Sequence, residues 1–212
     1  MSPHEPALKK AVVFVDGQNL YRAAKDAFGY HHPNYNIKLL SEKVCSDHNW
    51  NLAGIHFYTG VPDPQDNPLW HTFWSRKLSY MGRLGIELFR RPLRYHNEEF
   101  TCPSCHKMYT LLIGHEKGVD VRLAIDVIRF AHENKYDVAV IFSQDQDLSE
   151  VATEVKKISI EQKRWIKVAS VFPMSPTVKN TAGINGTEWI RIDKKTYDAC
   201  IDPADYRNLL EK

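Results

Sequence analysis

Residues 117–148 constrain the fold more than any other part of this sequence. Apolar residues in the first half of this stretch recur at three- and four-residue spacing, which predicts one buried face of an α-helix. Residues 138–142 then read VAVIF, a short apolar run rich in β-branched side chains. Such a run predicts a strand that is covered on both faces. A helix followed by a buried strand is the repeating unit of an α/β fold.

The same alternation continues along the rest of the chain. Strand patterns occupy residues 11–15, 53–60, 85–89, 165–172 and 188–192. Helical patterns lie between them, chiefly over residues 37–49, 68–81 and 148–158. This order predicts an α/β fold with a parallel, doubly wound sheet and right-handed crossovers. No G-x-G-x-x-G follows the first strand, so a dinucleotide is not indicated.

Residues 95–114 do not follow this alternation of strands and helices. They carry a Cys-x-x-Cys pair and are predicted to form a small inserted hairpin. A single domain would then cover residues 1–193, with residues 194–212 as a tail or a peripheral helix. A length of 212 residues is sufficient for one such domain with a good core.

Composition and charge limit the setting in which the protein works. The net charge is +2, so any nucleic-acid footprint must be local rather than a field of the whole chain. The sequence contains no apolar run of eighteen residues and no signal-peptide pattern at its start, so no membrane association is expected. Cys45 and Cys200 stand alone, and four cysteines do not make a disulfide framework. We therefore expect a protein of the reducing cytoplasm.

Aspartates follow two of the predicted strands. Asp16 ends the first strand, Asp145 and Asp147 follow residues 138–142, and Asp120 opens the preceding helix. If those strands are neighbours, the four carboxylates converge at the carboxyl edge of the sheet, where α/β proteins bind ligands. Their mutual repulsion calls for a divalent cation, and oxygen ligands favour Mg²⁺ or Mn²⁺. Such a cation activates water for phosphodiester hydrolysis.

Polar and basic residues near these acids are candidates for contacts with the substrate. Asn19 lies one helical turn beyond Asp16, where its amide can bond a metal-bound water or a phosphate oxygen. Lys117 precedes a helix amino terminus, which also attracts phosphate. Three arginines after a strand end are expected either to hold RNA phosphates or to form a solvated edge: Arg90, Arg91 and Arg94. The aromatic residues of the helix at 68–81 are expected in the core rather than stacked on bases.

Three motifs resemble the NYN family of the PIN-like nuclease superfamily. They are FVDGQNL at residues 14–20, KGVDVRLAIDV at 117–127 and SQDQD at 143–147. The family pattern has a small residue at position 144, where this sequence has glutamine. The resemblance spans about residues 10–172 and implies a three-layer α/β/α fold with a central parallel sheet and metal-dependent RNA cleavage. It also implies an acidic pocket built from Asp16, Asn19, Asp120, Asp145 and Asp147.

Structural roles compete with each of these assignments. Asp16 can cap the helix that follows it, and either Asp145 or Asp147 can cap the next one, with Asp147 favoured. Asp126 also belongs to the second motif, but it lies roughly 120° around the helix from Asp120. Its spacing suits ion pairs with two arginines, so it is only a secondary candidate for the site: Arg122 at i−4 and Arg129 at i+3.

Cys102 and Cys105 have the spacing of half a zinc site. His96, His106 or His115 would have to supply the missing ligands, and the sequence contains no second Cys-x-x-Cys. A structural zinc, a pair of reduced thiols and a redox pair therefore remain alternatives. A zinc here would stabilise the insertion without taking part in hydrolysis.

The leading functional hypothesis is a metal-dependent endoribonuclease acting on single-stranded or structured RNA. A catalytically inactive module of the same fold, binding RNA or a partner, is the main alternative. A Toprim-like enzyme would need a glutamate after the first strand, and an aspartyl phosphatase would need D-x-D there; Gly17 and Gln18 follow Asp16 instead. Many nucleases of this size pair to grip their substrate, so a homodimer is a further hypothesis.

Overall fold

A computed structural model describes residues 4–207 of the chain. The strands are Lys9–Asp16 (β1), Trp50–Val61 (β2), Glu87–Pro92 (β3), Arg94–Thr101 (β4), Met108–His115 (β5), Val138–Phe142 (β6), Lys167–Pro173 (β7) and Glu188–Ile192 (β8). The α-helices are Gly17–Phe28 (α1), Ile37–Asp47 (α2), Pro68–Arg83 (α3), Val119–His132 (α4), Ser149–Glu161 (α5) and Lys194–Asp198 (α6). A short 3₁₀ helix, Gln146–Leu148, precedes α5. Within residues 4–207, no helix is both long enough and apolar enough to span a bilayer.

Six parallel strands form the central sheet, in the order β3-β2-β1-β6-β7-β8. β1 is an inner strand, and its residue Val13 pairs with Ile55 of β2 on one side and Val140 of β6 on the other. From β1 the chain first builds outward to β3 and later, from β6, outward to β8. The direction of building therefore reverses between β1 and β6, which confirms the predicted doubly wound parallel sheet.

Helices cover both faces of this sheet. Ala11, Val13 and Val15 of β1 pack on the side that holds α1, α2 and α3. Val12 and Phe14 pack on the opposite side, against α4 and α5. The result is the expected three-layer α/β/α arrangement. Because β1 is buried on both faces, its sequence is continuously apolar instead of alternating.

The inserted hairpin is confirmed as a separate two-stranded antiparallel sheet. β4 and β5 pair from Arg94 with His115 at the base to Thr101 with Met108 near the tip. Cys102 and Cys105 lie in the turn that connects the two strands. The hairpin thus stands apart from the six-stranded sheet.

The aromatic residues of α3 lie where the sequence places them. Phe73 and Trp74 are buried in the core, and Trp70 is partly buried against it. They pack with their neighbours through edge-on contacts, such as 5.4 Å between the ring centroids of Phe73 and Trp74. The prediction of core packing for this helix is confirmed.

A buried ion pair joins the last described segment to α3. Lys77 Nζ lies 3.1 Å from Asp202 Oδ2 and donates a second bond, of 2.9 Å, to the Tyr35 carbonyl oxygen. Burial lowers the pKa of Lys77, and the adjacent Asp202 carboxylate opposes this effect. The predicted tail therefore begins with α6 and this docked segment, whereas residues 208–212 lie outside the described part of the chain.

Replacing Lys77 by methionine is expected to destabilise the protein by about 3–5 kcal/mol, because the buried Asp202 loses its counter-charge. Lys43→Met is the matched control, since Lys43 pairs with Asp47 on the exposed surface of α2. Its cost should be about 1 kcal/mol or less. Urea denaturation of both variants measures the difference, and equal losses would contradict a structural role for the buried pair.

Candidate active site

The crevice at the carboxyl ends of β1 and β6 contains the predicted acids. Asp16 is the last residue of β1, and Val15 just before it pairs with Phe142, the last residue of β6. Beyond Phe142, the Ser143 hydroxyl donates a 3.5 Å hydrogen bond to Asp16 Oδ2. Two segments more than 120 residues apart are thereby joined at the point where the strand order reverses, which is where ligands bind in such sheets.

Asp16 also has a structural role at the start of α1. Its Oδ1 accepts a 2.9 Å bond from the Asn19 backbone N–H, so it caps α1 as the sequence suggested. The Asn19 side chain in turn accepts a 2.9 Å bond from the Gln144 backbone N–H. Asp16 and Asn19 therefore fix the loop after β6 against the start of α1.

A cleft of about 260 Å³ brings most of the predicted site residues together. Its walls include Asp16 and Asn19 from the β1–α1 junction, Asp120 from the first turn of α4 and Asp145 from the loop after β6. Arg22, one turn further along α1, contributes a cation to the same cleft. The convergence predicted for these acids from strand ends is therefore present.

Asp147 lies apart from the other acids. It is exposed on the 3₁₀ helix and does not line the cleft. Its backbone N–H donates a 3.0 Å bond to Asp145 Oδ1, so Asp145 is the residue that caps this turn. The sequence favoured Asp147 as the cap, which is wrong because a 3₁₀ turn begins directly after Asp145.

Glu116 is a carboxylate of the cleft that sequence reasoning missed. It lines the cleft with Asp16 and Asp120, and its Oε2 accepts a hydrogen bond from the Gly60 backbone N–H. Burial raises the pKa of Glu116 to about 7, with further increases from the Asp16 and Asp120 carboxylates. Glu116 follows the hairpin rather than a sheet strand, so the strand-end argument could not find it. The only signal in the sequence is its position directly before the KGVDV motif.

Burial and neighbouring carboxylates raise the pKa of two acids of the cleft, Asp16 and Glu116. The pKa of Asp16, which is 8% exposed, rises to about 6, first because of burial and then because of the Asp145 carboxylate. The Asn19 N–H and the Arg22 guanidinium act in the opposite direction. The cleft is thus a site of net negative charge in which ionisation is unfavourable without a compensating cation.

The donor chemistry of the cleft fits a hard cation that keeps part of its water. Its ligating groups are carboxylate and amide oxygens, which suit Mg²⁺ or Mn²⁺ rather than zinc. Across residues 4–207, no three His, Cys, Asp or Glu side chains are grouped closely enough to enclose a metal ion. A closed cage is unnecessary for Mg²⁺, which commonly binds through one or two carboxylates and several waters.

Asp126 belongs to a different part of the molecule. It is buried on α4, where Tyr58 Oη donates a 3.0 Å bond to it. Arg122 and Arg129 pair with its two oxygens at 2.8 and 3.0 Å. The predicted ion pairs are confirmed with both arginines, and Asp126 does not line the cleft.

The basic candidates lie on the outer surface. Arg90, Arg91, Arg94 and Lys117 are all exposed. Arg91 lies beside the amino terminus of α4, because a Cβ added to Gly118 would come within 2.8 Å of its Nη1 atom. Gly118 has φ of +74°, a left-handed conformation that favours glycine at the turn before α4.

Gln144 occupies the position where the family pattern has a small residue. Its backbone φ is not positive, so the turn places no demand for glycine there. Its side-chain Nε2 donates bonds of 2.8 Å to the Ala182 carbonyl and 3.3 Å to the Asn180 carbonyl. Glutamine therefore ties the loop between β7 and β8 to the edge of the cleft.

The two hairpin cysteines are free thiols, as are Cys45 and Cys200. Backbone N–H groups of Cys105 and Ser104 lower the pKa of the Cys102 thiol. His115 pairs with Glu98 at the base of the hairpin. Whether the pair holds zinc remains a prediction.

Comparison with known proteins shows the family of this chain. The NYN domain model matches residues 10–179, and the chain therefore belongs to the NYN domain family, a PIN-like nuclease family. Proteins of this family act on RNA in general and typically use divalent metals.

Solved structures show the fold alone. A protein of unknown function, VPA0982 from Vibrio parahaemolyticus, is 17% identical with a TM-score of 0.51, covering 90% of this chain and 97% of that one. MurG of Acinetobacter baumannii matches at 10% identity over 86% of this chain and 45% of its own, with a TM-score of 0.32 that supports no argument. No curated protein sequence matches significantly.

Asp16→Asn is expected to stabilise the metal-free protein at alkaline pH. The pKa of Asp16 is raised from 3.8 to about 6 in the folded protein, so folding favours its protonated form. The contribution of Asp16 to the free energy of unfolding is therefore fully present below pH 3.8 and is lost as pH rises through about 6. Asparagine removes the charge but still caps α1. Urea denaturation in EDTA should therefore show a gain of up to about 3 kcal/mol at pH 8, shrinking to about 1 kcal/mol or less at pH 4.5.

Asp147→Asn is the control for this experiment, since it removes an exposed charge outside the cleft. It should show no comparable dependence on pH. Asp16→Asn protein that is no more stable than the parent at pH 8 would argue against the proposed cost of the buried carboxylate.

Proposed function

We propose that this NYN domain is a divalent-metal-dependent endoribonuclease that hydrolyses phosphodiester bonds of RNA in a reducing cytoplasm. The proposal rests on the convergence of four carboxylates in one cleft at the carboxyl edge of the sheet: Asp16, Glu116, Asp120 and Asp145. Three separate segments of chain supply them, so their proximity is a property of the fold. A cation offsets their repulsion, and RNA phosphates bring charge that the same cation can neutralise.

Each residue has a distinct part in this mechanism. Asp16, Asp120 and Asp145 are the candidate ligands, of which one or two, together with several waters, would hold Mg²⁺ or Mn²⁺. The bound cation would lower the pKa of water and neutralise charge on the phosphodiester. Asp16 must lose its proton first, so binding of the cation is expected to weaken below pH 6. Asn19 fixes the loop that carries Asp145. Asp147 lies outside the cleft and is not proposed as a ligand of the cation.

Glu116 is placed to take a proton from the attacking water. Burial raises the pKa of Glu116, which makes its carboxylate a stronger proton acceptor than an exposed glutamate. Hydrolysis forms a bond from the water oxygen to phosphorus and breaks the bond to the leaving ribose oxygen. The proton of the attacking water passes to Glu116, and the leaving oxygen takes up a proton from solvent. The bond from the Gly60 N–H keeps the Glu116 carboxyl oriented towards the cleft.

A second groove offers a path for the RNA backbone. This groove, of about 470 Å³, shares Asn19 and Arg22 with the acidic cleft and extends to Lys179 and Asn180 of the loop after β7. Arg22 and Lys179 supply local positive charge, as expected for a chain whose overall charge is only +2. Four exposed cations outside the cleft are proposed as outer phosphate contacts: Arg90, Arg91, Arg94 and Lys117.

The alternative is an inactive module of the same fold that only binds RNA or a partner. Such a module would gain nothing from burying Asp16 next to other carboxylates, which opposes folding at neutral pH. The persistence of this unfavourable arrangement supports an active, cation-dependent site. RNA that is bound but never cleaved by the parent protein with Mg²⁺ or Mn²⁺ would favour the inactive module.

Asp16→Asn and Asp145→Asn are each expected to lower Mn²⁺-dependent cleavage of a labelled RNA by at least about 100-fold, because charge stabilisation in the transition state is lost. EDTA should abolish cleavage by the parent. Asp47→Asn is the control: this exposed aspartate ends α2, just before the amino end of β2 and so at the opposite edge of the sheet. Activity of the Asp16→Asn protein equal to that of the parent would refute the assignment.

Glu116→Gln is expected to lower cleavage by about 100-fold or more and, at a Mn²⁺ concentration that saturates the site at every pH, to remove the rise of rate with pH on the acidic side of the profile. Glutamine keeps an oxygen for the Gly60 N–H, so the substitution tests the charge rather than the contact. Glu133→Gln, at the exposed carboxyl end of α4, is the control. A variant with an unchanged pH profile would exclude Glu116 as the general base.

A further inference from the structure

The hairpin of β4 and β5 takes part in the proposed chemistry only at its base, where Gly114 and His115 line the cleft and Arg94 is a proposed phosphate contact. Its outer part is incomplete as a folding unit. A two-stranded antiparallel sheet is marginally stable without a partner surface. Large apolar side chains are nevertheless exposed along it: Phe100, Met108, Tyr109, Leu111 and Leu112, at 42–67% of their full exposure. Phe100 pairs with Tyr109, and Glu98 pairs with Leu111. Phe100, Tyr109 and Leu111 therefore lie on one face of the hairpin.

The turn at the hairpin tip holds two thiols in a closed loop. The Cys102 N–H donates 2.9 Å to the Lys107 carbonyl, and the His106 N–H donates 2.9 Å to the Cys102 carbonyl. His106 has φ of +57°, which completes this tight reversal. Cys102 is partly exposed and Cys105 is exposed. Two cysteines separated by two residues on such a turn supply two of the four ligands of a tetrahedral zinc.

The same chain does not supply the other two ligands. The remaining cysteines, Cys45 and Cys200, are 1% and 4% exposed in the core of the main domain. His96 pairs with Ile113, six residues before Cys102 along an extended strand, which is roughly 20 Å at 3.4 Å per residue. In the part of the chain from residue 4 to 207, no third His, Cys, Asp or Glu joins the two thiols in a group suited to a metal.

We propose that two copies of this chain associate through their hairpin tips, each contributing Cys102 and Cys105 to one shared tetrathiolate zinc. Identical ligand pairs from two chains satisfy the tetrahedral geometry of zinc through a twofold axis. Each thiol releases its proton to solvent on binding. The exposed face with Phe100, Tyr109 and Leu111 then packs against the partner hairpin, which gives both hairpins the support that they lack alone.

The shared site requires a distinctive stoichiometry. Protein purified in a non-thiol reductant should contain one zinc per two chains, and light scattering should give twice the 24.6 kDa mass of one chain. Cys102→Ser and Cys105→Ser should each lose the zinc and become monomeric. Circular dichroism should remain that of the parent, because neither residue packs in the core of the main domain.

His106→Asn is the matched control within the same turn. Asparagine tolerates the left-handed backbone at this position but removes the imidazole, so zinc and the dimer should both persist. One zinc per monomeric chain, or loss of zinc in His106→Asn, would instead place the site within a single chain and overturn the proposal. Protein without zinc, or a dimer that survives Cys102→Ser in reductant, would overturn it as well. These measurements do not depend on cleavage of RNA, so they stand apart from the proposed nuclease activity.

Discussion

The burial of Asp16 beside other carboxylates is the constraint around which the site is organised. Folding places this residue at the carboxyl end of an inner strand, where water is largely excluded and Asp145 is close enough to raise its pKa. The same carboxylate caps α1, so it receives an N–H bond and the favourable field of a helix amino terminus. These contacts offset only part of the cost. We expect a bound cation to offset the rest of this cost, which links the stability of the fold to the proposed chemistry.

The surrounding architecture makes that arrangement rigid. From Ala11 to Asp16, β1 is enclosed between two helical layers, and the loops at its carboxyl end are tied together by side chains from distant segments. Asn19 holds the loop after β6, and Gln144 holds the loop after β7. Hydrogen bonds made by Asn19 and Gln144, in addition to those of the acids themselves, therefore fix the positions of the acids. Elsewhere, the Lys77–Asp202 pair fastens the end of the described chain to α3 in the same way.

The sequence predicted the elements of the site well and its electrostatic detail less well. Apolar runs at residues 11–15 and 138–142 marked the two inner strands, and aspartates at their ends could be located directly. Glu116 was missed because it follows an insertion whose orientation towards the sheet is not encoded by any local period. The cap at Asp145 was misjudged because a 3₁₀ turn and an α-helix begin with similar residues.

Local patterns by themselves determined the α/β class, the helices and strands, the hairpin insertion and the NYN motifs, because hydrophobic period and turn chemistry act over a few residues. Only the tertiary structure decided that Asp120 and Asp145 share a cleft with Asp16 and Glu116, whereas Asp126 is buried and accepts a hydrogen bond from Tyr58. Proximity between distant residues depends on strand order and on the packing of whole layers. Burial, and with it the raised pKa values of Asp16 and Glu116, follows from that packing.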